Sequence, residues 1–476
     1  MTSSQDQSLS RFALIALVVG SMVGAGIFTL PAVFARSTGV VGAFVAWCIA
    51  GTGMLMLALV FQTLSRRRPD LDAGIYAYAK EGFGSYLGFA AAFGYWVACC
   101  LADVACLVLI KATLGQFFPI FGDGSTPVAI FSASILLWAV HVFVLRGVKQ
   151  AAALNTIATV AKIVPIAIFI VVVIAGFQAD VFALNLWGDA TPSIAGVATQ
   201  VRSTMLATVF VFVGIEGASV YSRFAKDRRD VGIATVLGFI GVLCLLMLVT
   251  LFSYGILLRP DLGALANPSM AGVMEAIVGP WGRVFVSVGL LISIAGNYLS
   301  WSLLAAEVLH SAAKNETMPV FLARENANGV PSAALWLTNI VIQAFLLVTW
   351  FANYAFGMAL KMTSSMTLVP YLLVAAFGLK LAWTGEMYVA GERARRVDAM
   401  RGAVATIYAA GMLYAGGPKF LLLSALLYAP GTWLYFYARR EQRQRVFTVA
   451  ESGVFAVFSV AAIVALYALV TGAIVI

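Results

Sequence analysis

The stretch GSMVGAGIF, at residues 20–28, lies in the middle of the first long apolar run of the chain. A glycine in a helix interior costs about 1 kcal/mol relative to alanine, so its three glycines predict a broken helix. A second glycine-flanked stretch, VGIEGAS at residues 213–219, lies in the sixth apolar run. Close packing of small residues accounts for either break taken singly. Paired breaks in two halves of a membrane chain indicate a transporter site.

The spacing of the two breaks supports that interpretation. Gly24 and Gly214 are 190 residues apart, close to the length of a block of five membrane helices, and each break opens such a block. Unwound backbone offers N–H groups that suit a carboxylate and carbonyl groups that suit an ammonium. A site with both kinds of group fits an α-amino acid.

The composition is that of a membrane protein. Of the 476 residues, 62% are hydrophobic and 11% are charged, whereas a soluble domain is about half apolar and a quarter charged. This excludes a soluble enzyme, a disordered protein and a nucleic-acid-binding protein. Only two histidines occur, and the five cysteines lie in apolar runs without metal-ligand spacing. We therefore expect no metal, no cofactor and no enzymatic activity.

The apolar runs predict an all-α integral membrane protein with about 13 transmembrane helices. A membrane-spanning helix needs about 20 residues, and the runs follow one another with short loops between them. They lie at about 11–35, 40–64, 85–113, 126–145, 153–176, 200–222, 231–258, 283–311, 332–352, 357–380, 402–417, 419–438 and 447–474. Whether the eleventh and twelfth runs are separate spans stays open at this point.

The charged loops predict the orientation. Most of the 30 lysines and arginines lie at the N-terminus and in the loops that follow even-numbered spans, and the net charge of +9 reflects this excess. Cytoplasmic loops carry such an excess, which places the N-terminus in the cytoplasm. With thirteen spans the C-terminus lies outside, and this second inference fails if the eleventh and twelfth spans are one.

The ionisable residues inside the apolar runs include Asp103, Lys162, Glu216 and Glu307. A charge at the bilayer centre costs about 2.5–3.5 kcal/mol on insertion scales, so such residues are paired or functional. Three carboxyl groups against one lysine predict a cavity that attracts cations or binds protons. As a lone buried cation, Lys162 is expected to contact carbonyls or a carboxylate near the first break.

Aromatic and hydroxyl side chains lie at the same depth. Tyr95 precedes Asp103 by about two helical turns, Trp301 lies in the eighth run, and Tyr371 follows Pro370 in the tenth. Core packing or lipid contact explains any one of them. Because guanidinium groups stack on aromatic rings, an acidic cavity with aromatic walls suits an arginine-like substrate.

Several stretches carry a resemblance to a known family. Residues 17–31 and 214–219 resemble the first and sixth helices of the amino acid–polyamine–organocation transporter superfamily. Residues 71–84, 94–96 and 367–371 are similar to its basic amino acid/polyamine antiporter branch, and within that branch the chain most resembles bacterial arginine/ornithine antiporters.

The resemblance implies a LeuT-type 5+5 inverted repeat with accessory helices. Residues 1–10 form a cytoplasmic tail, 11–178 the first repeat, 200–381 the second repeat, and 402–476 three accessory helices. The thirteenth helix is an addition to the twelve that the family implies.

The resemblance also implies the site residues. Those that bind substrate are Met22, Ala25, Gly26, Ala98, Asp103, Phe210, Val213, Trp301, Thr363 and Ser364. Those that gate the site are Tyr95, Glu216, Trp301 and Tyr371. Lys162 takes the place of a sodium ion or couples protons. Relatives often have Asn at the position of Asp103 and Trp at that of Phe210, which bears on substrate preference.

The resemblance implies exchange of arginine for ornithine by alternating access in a bacterial inner membrane. The expected partners are basic amino acids and the lipid bilayer. A homodimer is a further expectation. Alternatives are proton-coupled uptake of a basic amino acid, arginine/agmatine exchange and lysine/cadaverine exchange. An intramembrane enzyme, a channel or a non-transporting receptor fits the residues less well.

Overall fold

The computed structural model describes residues 15, 18–20, 22–71, 74–147, 151–188, 192–216, 228–352, 354–389 and 391–474, with the backbone alone for 151–161 and 228–231. The predicted tail at 1–10, Ser21 in the first break and the last six residues of the sixth run, 217–222, lie outside the described residues.

Every regular element in these ranges is helical. The first eight α-helices are α1 (Leu30–Ala35), α2 (Val40–Arg67), α3 (Ile75–Phe83), α4 (Ser85–Gly115), α5 (Pro127–Leu145), α6 (Ala151–Ala175), α7 (Ala179–Leu184) and α8 (Ile194–Phe210). The other eight are α9 (Arg228–Ser253), α10 (Arg259–Ala264), α11 (Ser269–Val278), α12 (Pro280–Lys314), α13 (Ser332–Val348), α14 (Ala355–Thr384), α15 (Arg393–Glu441) and α16 (Val449–Val470).

The all-α membrane architecture is confirmed. Within the described ranges, nine helices are long and apolar enough to cross a bilayer, and shorter apolar helices occupy Ala25–Ala35, Lys162–Ala175 and Ser269–Val278. The total of thirteen spans and the repeat layout stay predictions. Four short helices, α3, α7, α10 and α11, lie in or beside the predicted loops, because a search for runs of 20 apolar residues does not detect such elements.

Helix α15 bends at the predicted division between the eleventh and twelfth spans. Its 49 residues would form a rod about 74 Å long, more than twice the bilayer core. Gly417 has φ +78° and ψ 171° and interrupts the helix. Pro418 disfavours helical backbone at the residue before it, and glycine accepts the positive φ. The helix that contains the eleventh apolar run begins at Arg393, ahead of the run's predicted start at 402.

Both ends of α15 lie on one side of the bundle, which we call the arginine face. At the α15 N-terminus Glu392 accepts from Arg67 at the end of α2, with Nη2 and Oε1 2.5 Å apart. At its C-terminus Glu441 accepts from the backbone of Val320, in the loop after α12, at 2.9 Å. Gly417 therefore lies toward the opposite side, and the chain reverses direction there.

Helix α4 lies at the centre and packs against α12 and α14. It is buried along almost its whole length, which explains why its sequence has no polar face. Small residues let its neighbours approach: a β-carbon at Gly94 would lie 1.9 Å from Tyr428 Oη and 3.1 Å from Met366 O. Side chains of α4 therefore face the interior in every direction, and the site is built against it.

Candidate functional site

The first break has the predicted form. Met22 is helical, Val23 and Gly24 are not, and a 3₁₀-helix follows at Ala25–Thr29. The Nζ of Lys162, on α6, donates to the carbonyl of Gly20 at 2.6 Å. The prediction that this buried lysine contacts a carbonyl near the break is confirmed.

The second break begins where α8 ends. Residues 211–216 are in turns, and Gly214 has φ +106°, a backbone region that favours glycine. The two breaks touch: a β-carbon at Gly26 would lie 2.9 Å from the Phe210 ring and 3.0 Å from Val211. Helix α12 approaches equally closely, since a β-carbon at Gly24 would lie 3.0 Å from the Asn297 amide nitrogen.

A cavity of about 30 Å³ lies between the breaks. Its walls are Met22, Val23, Gly24, Ala25, Gly26, Ile27, Ala102, Cys106, Phe210, Val211, Val213, Leu246, Asn297, Trp301 and Thr363. This volume holds one or two water molecules and is far too small for an amino acid. The surrounding helices must therefore move before a substrate of that size can enter.

Seven of the ten residues predicted to bind substrate line this cavity, namely Met22, Ala25, Gly26, Phe210, Val213, Trp301 and Thr363. Ala98 is buried on α4 one turn from Ala102 and does not reach the cavity wall. Ser364 donates to the backbone carbonyls of Leu206 at 2.6 Å and Leu360 at 3.1 Å, away from the cavity.

Sequence reasoning missed several wall residues. Asn297 lies one helical turn before Trp301 on α12, and Ala102 one turn after Ala98 on α4, so the i,i+4 relationship could have found both. Leu246, on α9, carries no sequence signal that distinguishes it from other leucines. Its position depends on how α9 packs.

Asp103 lies beside the cavity without forming its wall. Its side chain is fully buried on α4, and neither carboxylate oxygen has a hydrogen-bond partner among the described residues. The Tyr298 hydroxyl on α12 lies within electrostatic range of Asp103 and is likewise buried without a partner in the described part of the chain. Buried polar groups are seldom left unsatisfied, so this acid is available to a mobile cation or a proton.

Glu216 joins three parts of the structure. One carboxylate oxygen accepts from the Tyr95 hydroxyl of α4. The other accepts from the Tyr371 hydroxyl of α14 at 2.5 Å and from the backbone N–H of Gly214 at 3.3 Å. Of the four predicted gating residues, Tyr95, Glu216 and Tyr371 form this Glu216 cluster, while Trp301 lines the cavity.

Helix α14 shows where the cavity, the Glu216 cluster and Phe356 lie along the bundle axis. Thr363 is at the cavity, and Tyr371 is eight residues, about 12 Å, nearer the arginine face. Phe356 is about 10 Å from Thr363 in the other direction, and its ring meets that of Phe210 edge-on at 6.5 Å. The Glu216 cluster thus closes the cavity toward the arginine face.

An aromatic layer closes the opposite side. Phe356 contacts the ring of Tyr354, with centroids 6.4 Å apart, and the guanidinium of Arg36 lies 4.4 Å from the Tyr354 centroid. Asn267 also donates to the Tyr354 hydroxyl at 2.8 Å. Among the described residues, the Glu216 cluster and this aromatic layer therefore lie on opposite sides of the cavity.

Known proteins resemble the chain along its whole length. The amino acid permease family model matches residues 9–475. The arginine/ornithine antiporter of Pseudomonas aeruginosa is 51% identical, with 99% of each chain covered. The L-lysine transport protein of Corynebacterium glutamicum is 39% identical over 99% of this chain and 97% of its own. The arginine/agmatine antiporter of Chlamydia abortus is 39% identical over 93% of this chain and 92% of its own.

Proposed function

The chain belongs to the amino acid permease family, and from that premise we propose that it exchanges arginine for ornithine across a membrane. The observation that carries the proposal is the meeting of two broken helices at one central cavity, in a chain 51% identical to an arginine/ornithine antiporter over its full length. Exchange of two basic amino acids requires no cofactor and no ATP.

The broken backbone is suited to the part that arginine and ornithine share. The first residues of the 3₁₀-helix at Ala25–Thr29 line the cavity, and their backbone N–H groups can hold the α-carboxylate. Carbonyls of the turn at Phe210–Val213 can accept from the α-ammonium. Met22 and Gly26 then fix the position of the α-carbon, since both line the cavity.

The cationic side chain of the substrate extends toward the aromatic wall of the cavity. The Trp301 and Phe210 rings line the cavity and offer faces to a guanidinium or ammonium, with the Thr363 hydroxyl nearby. Asp103 follows the wall residue Ala102 on α4, and its carboxyl group, which has no partner among the described residues, can ionise to pair with the substrate's cation. The walls must spread to admit the substrate, which brings Asp103 within its reach.

Alternating access requires the Glu216 cluster and the aromatic layer at Phe356 to open in turn. Opening the Glu216 cluster exposes the cavity to the arginine face, and parting the aromatic layer at Phe356 exposes it to the other side. Lys162 supports the first broken helix in both states by holding the Gly20 carbonyl. A lysine ammonium at this place removes the need for a sodium ion.

The orientation is part of the same proposal. The arginine face carries Arg67, Lys80, Lys314, Arg393 and Arg439, so it is the cytoplasmic side under the positive-inside rule. The N-terminus is then cytoplasmic, the C-terminus outside, and the membrane the inner membrane of a bacterium. The inverted repeat over 11–178 and 200–381 and the homodimer stay predictions.

Counterflow in proteoliposomes tests the function. Vesicles loaded with ornithine should take up labelled arginine at least tenfold faster than empty vesicles, without any ion gradient. Equal uptake by loaded and empty vesicles would contradict exchange. A panel of unlabelled lysine, agmatine and cadaverine as competitors then distinguishes arginine/ornithine exchange from the related pairs.

Proton-coupled uptake of a basic amino acid is the second candidate. The observation in its favour is the buried Asp103 carboxyl group, which has no hydrogen-bond partner in the described part of the chain and can carry a proton between states. In empty vesicles an inward proton gradient should then drive arginine accumulation, and a protonophore should abolish it. Exchange alone predicts no effect of the protonophore.

A further inference from the structure

Two clefts of about 600 and 610 Å³ adjoin each other on the arginine face, where α14 ends and α15 begins. Six arginines and two carboxylates line them, namely Arg66, Arg67, Arg393, Arg395, Arg396, Arg401, Glu392 and Asp398. Neither cleft shares a lining residue with the central cavity, and the proposed exchange uses none of these residues.

The two carboxylates are already neutralised. Glu392 accepts from Arg67 at 2.5 Å, and this hydrogen bond holds the pKa of Glu392 below its usual value, so the carboxylate stays ionised and paired. Asp398 accepts from Arg401 at 3.1 Å. Glu386 lies in the same loop but lines neither cleft.

The remaining arginines keep their charge available. Arg66, Arg393 and Arg396 are exposed and form no ion pair with any carboxylate in the described ranges. Arg395 is held in place, since it donates to the carbonyls of Ala382 at 2.9 Å and Trp383 at 2.8 Å, which are neutral groups at the end of α14. The clefts therefore present four uncompensated positive charges on a fixed framework.

Large apolar side chains surround these charges. Trp383 is 78% exposed and lines one cleft, and Met387, Val389 and Met400 are exposed beside it. Tryptophan is typical of the boundary between hydrocarbon and headgroups. Basic clefts between membrane helices at this depth bind anionic lipid headgroups, and apolar neighbours suit the acyl chains. A soluble anion has no acyl chains to contact these apolar side chains, so they favour a lipid over a soluble anion.

We propose that the two clefts bind the phosphate headgroup of an anionic phospholipid in the adjoining leaflet, with Arg393 and Arg396 as the principal contacts. Arg–phosphate contacts are charge-assisted and often bidentate, which favours arginine over lysine for holding the group. The lipid joins the end of α14, which carries Tyr371 of the Glu216 cluster, to the start of α15.

Lipid retention by the purified full-length protein tests the proposal. The protein in detergent is titrated with phosphatidylglycerol or with phosphatidylcholine, and bound lipid is counted by native mass spectrometry. Wild type should retain phosphatidylglycerol at least tenfold more strongly than the variant Arg393→Gln/Arg396→Gln. Phosphatidylcholine should be retained weakly by both proteins.

Matched variants keep the test specific. Arg440→Gln/Arg445→Gln removes one charge from the other end of α15 and one from the loop that follows it, on the same face, and should retain the lipid as wild type does. Arg393→Lys/Arg396→Lys keeps both charges and should restore retention in part. All variants should elute as monodisperse protein, so a loss of lipid cannot be attributed to unfolding.

Three results would overturn the proposal. They are equal retention by wild type and Arg393→Gln/Arg396→Gln, equal loss in the Arg440→Gln/Arg445→Gln control, and displacement of the lipid by millimolar inorganic phosphate. The last result would assign the clefts to a free anion. None of them bears on arginine/ornithine exchange, which the counterflow experiment measures separately.

Discussion

The Tyr371 hydroxyl donates to the Glu216 carboxylate at 2.5 Å, although 155 residues separate the two in the chain. This hydrogen bond ties α14 to the irregular turn after α8, and the Tyr95 hydroxyl ties the same carboxylate to α4. The turn after α8 is thus held by one acid between the cavity and the arginine face.

We expect Glu216→Gln to slow exchange by a factor of ten or more while leaving expression and substrate binding largely intact. Hydrogen bonds to a charged group are worth about 1.5–3 kcal/mol, and the amide replaces a double acceptor with a group that accepts at one atom only. Counterflow rates measure the effect. Tyr95→Phe and Tyr371→Phe, which each remove one donor, should give intermediate rates. A Glu216→Gln rate equal to wild type would exclude the gating role.

Lys162→Ala should reduce exchange at least tenfold, because the Gly20 carbonyl at the first break loses its charged donor. Lys111→Ala is the matched control, since Lys111 is also a buried lysine but contacts the Phe121 ring rather than a broken helix. Initial rates at neutral pH should separate the two variants. Full activity of Lys162→Ala would show that the break needs no cation.

Asp103→Asn should weaken substrate binding by about ten- to a hundredfold, the equivalent of 1.5–3 kcal/mol for one charge-assisted contact. The affinities for arginine and ornithine should fall together if Asp103 holds the α-ammonium. The affinity for arginine alone should fall if Asp103 holds the guanidinium. Binding measured by calorimetry decides between these outcomes. Tyr298→Phe, which removes the neighbouring hydroxyl and no charge, should change affinity less. Unchanged affinity in a folded Asp103→Asn protein would make Asp103 structural.

Gly26→Ala should raise the KM for arginine strongly with little effect on folding. The added β-carbon would lie 2.9 Å from the Phe210 ring, so the ring must move, and it forms the cavity wall. Gly241→Ala on α9 is the control, because a β-carbon there meets nothing within 4 Å. If the two variants transport arginine equally well, the cavity is not the substrate site.

Gly417→Ala should lower the free energy of unfolding by about 1–3 kcal/mol, because φ +78° with ψ 171° is a backbone region that almost only glycine adopts. Gly411→Ala, in the regular part of α15 with open space around its β-carbon, should be neutral or stabilising. Thermal unfolding in detergent measures both variants. A Gly417→Ala protein as stable as wild type would mean that the reversal in α15 tolerates a side chain.

Features that depend on local chemistry could be predicted from the sequence alone. Apolar runs of about 20 residues predicted the membrane helices, and glycines predicted the breaks at Val23–Gly24 and after Phe210. The position of a cation inside an apolar run predicted the contact of Lys162 with a backbone carbonyl. Each of these follows from the cost of placing a given residue in hydrocarbon or in a helix, which is a property of the residue and its neighbours in the chain.

Which side chains contact one another depends on how the helices pack, and the sequence does not reveal it. Asp103 and Ala102 are adjacent on α4, yet Ala102 lines the cavity and Asp103 does not, because a rotation of about 100° separates neighbouring residues on a helix. Asn297 faces Gly24, and Ser364 faces the backbone of α8, for the same reason. The rotation and depth of each helix depend on packing against helices distant in the chain, and the hydropathy pattern does not predict that packing.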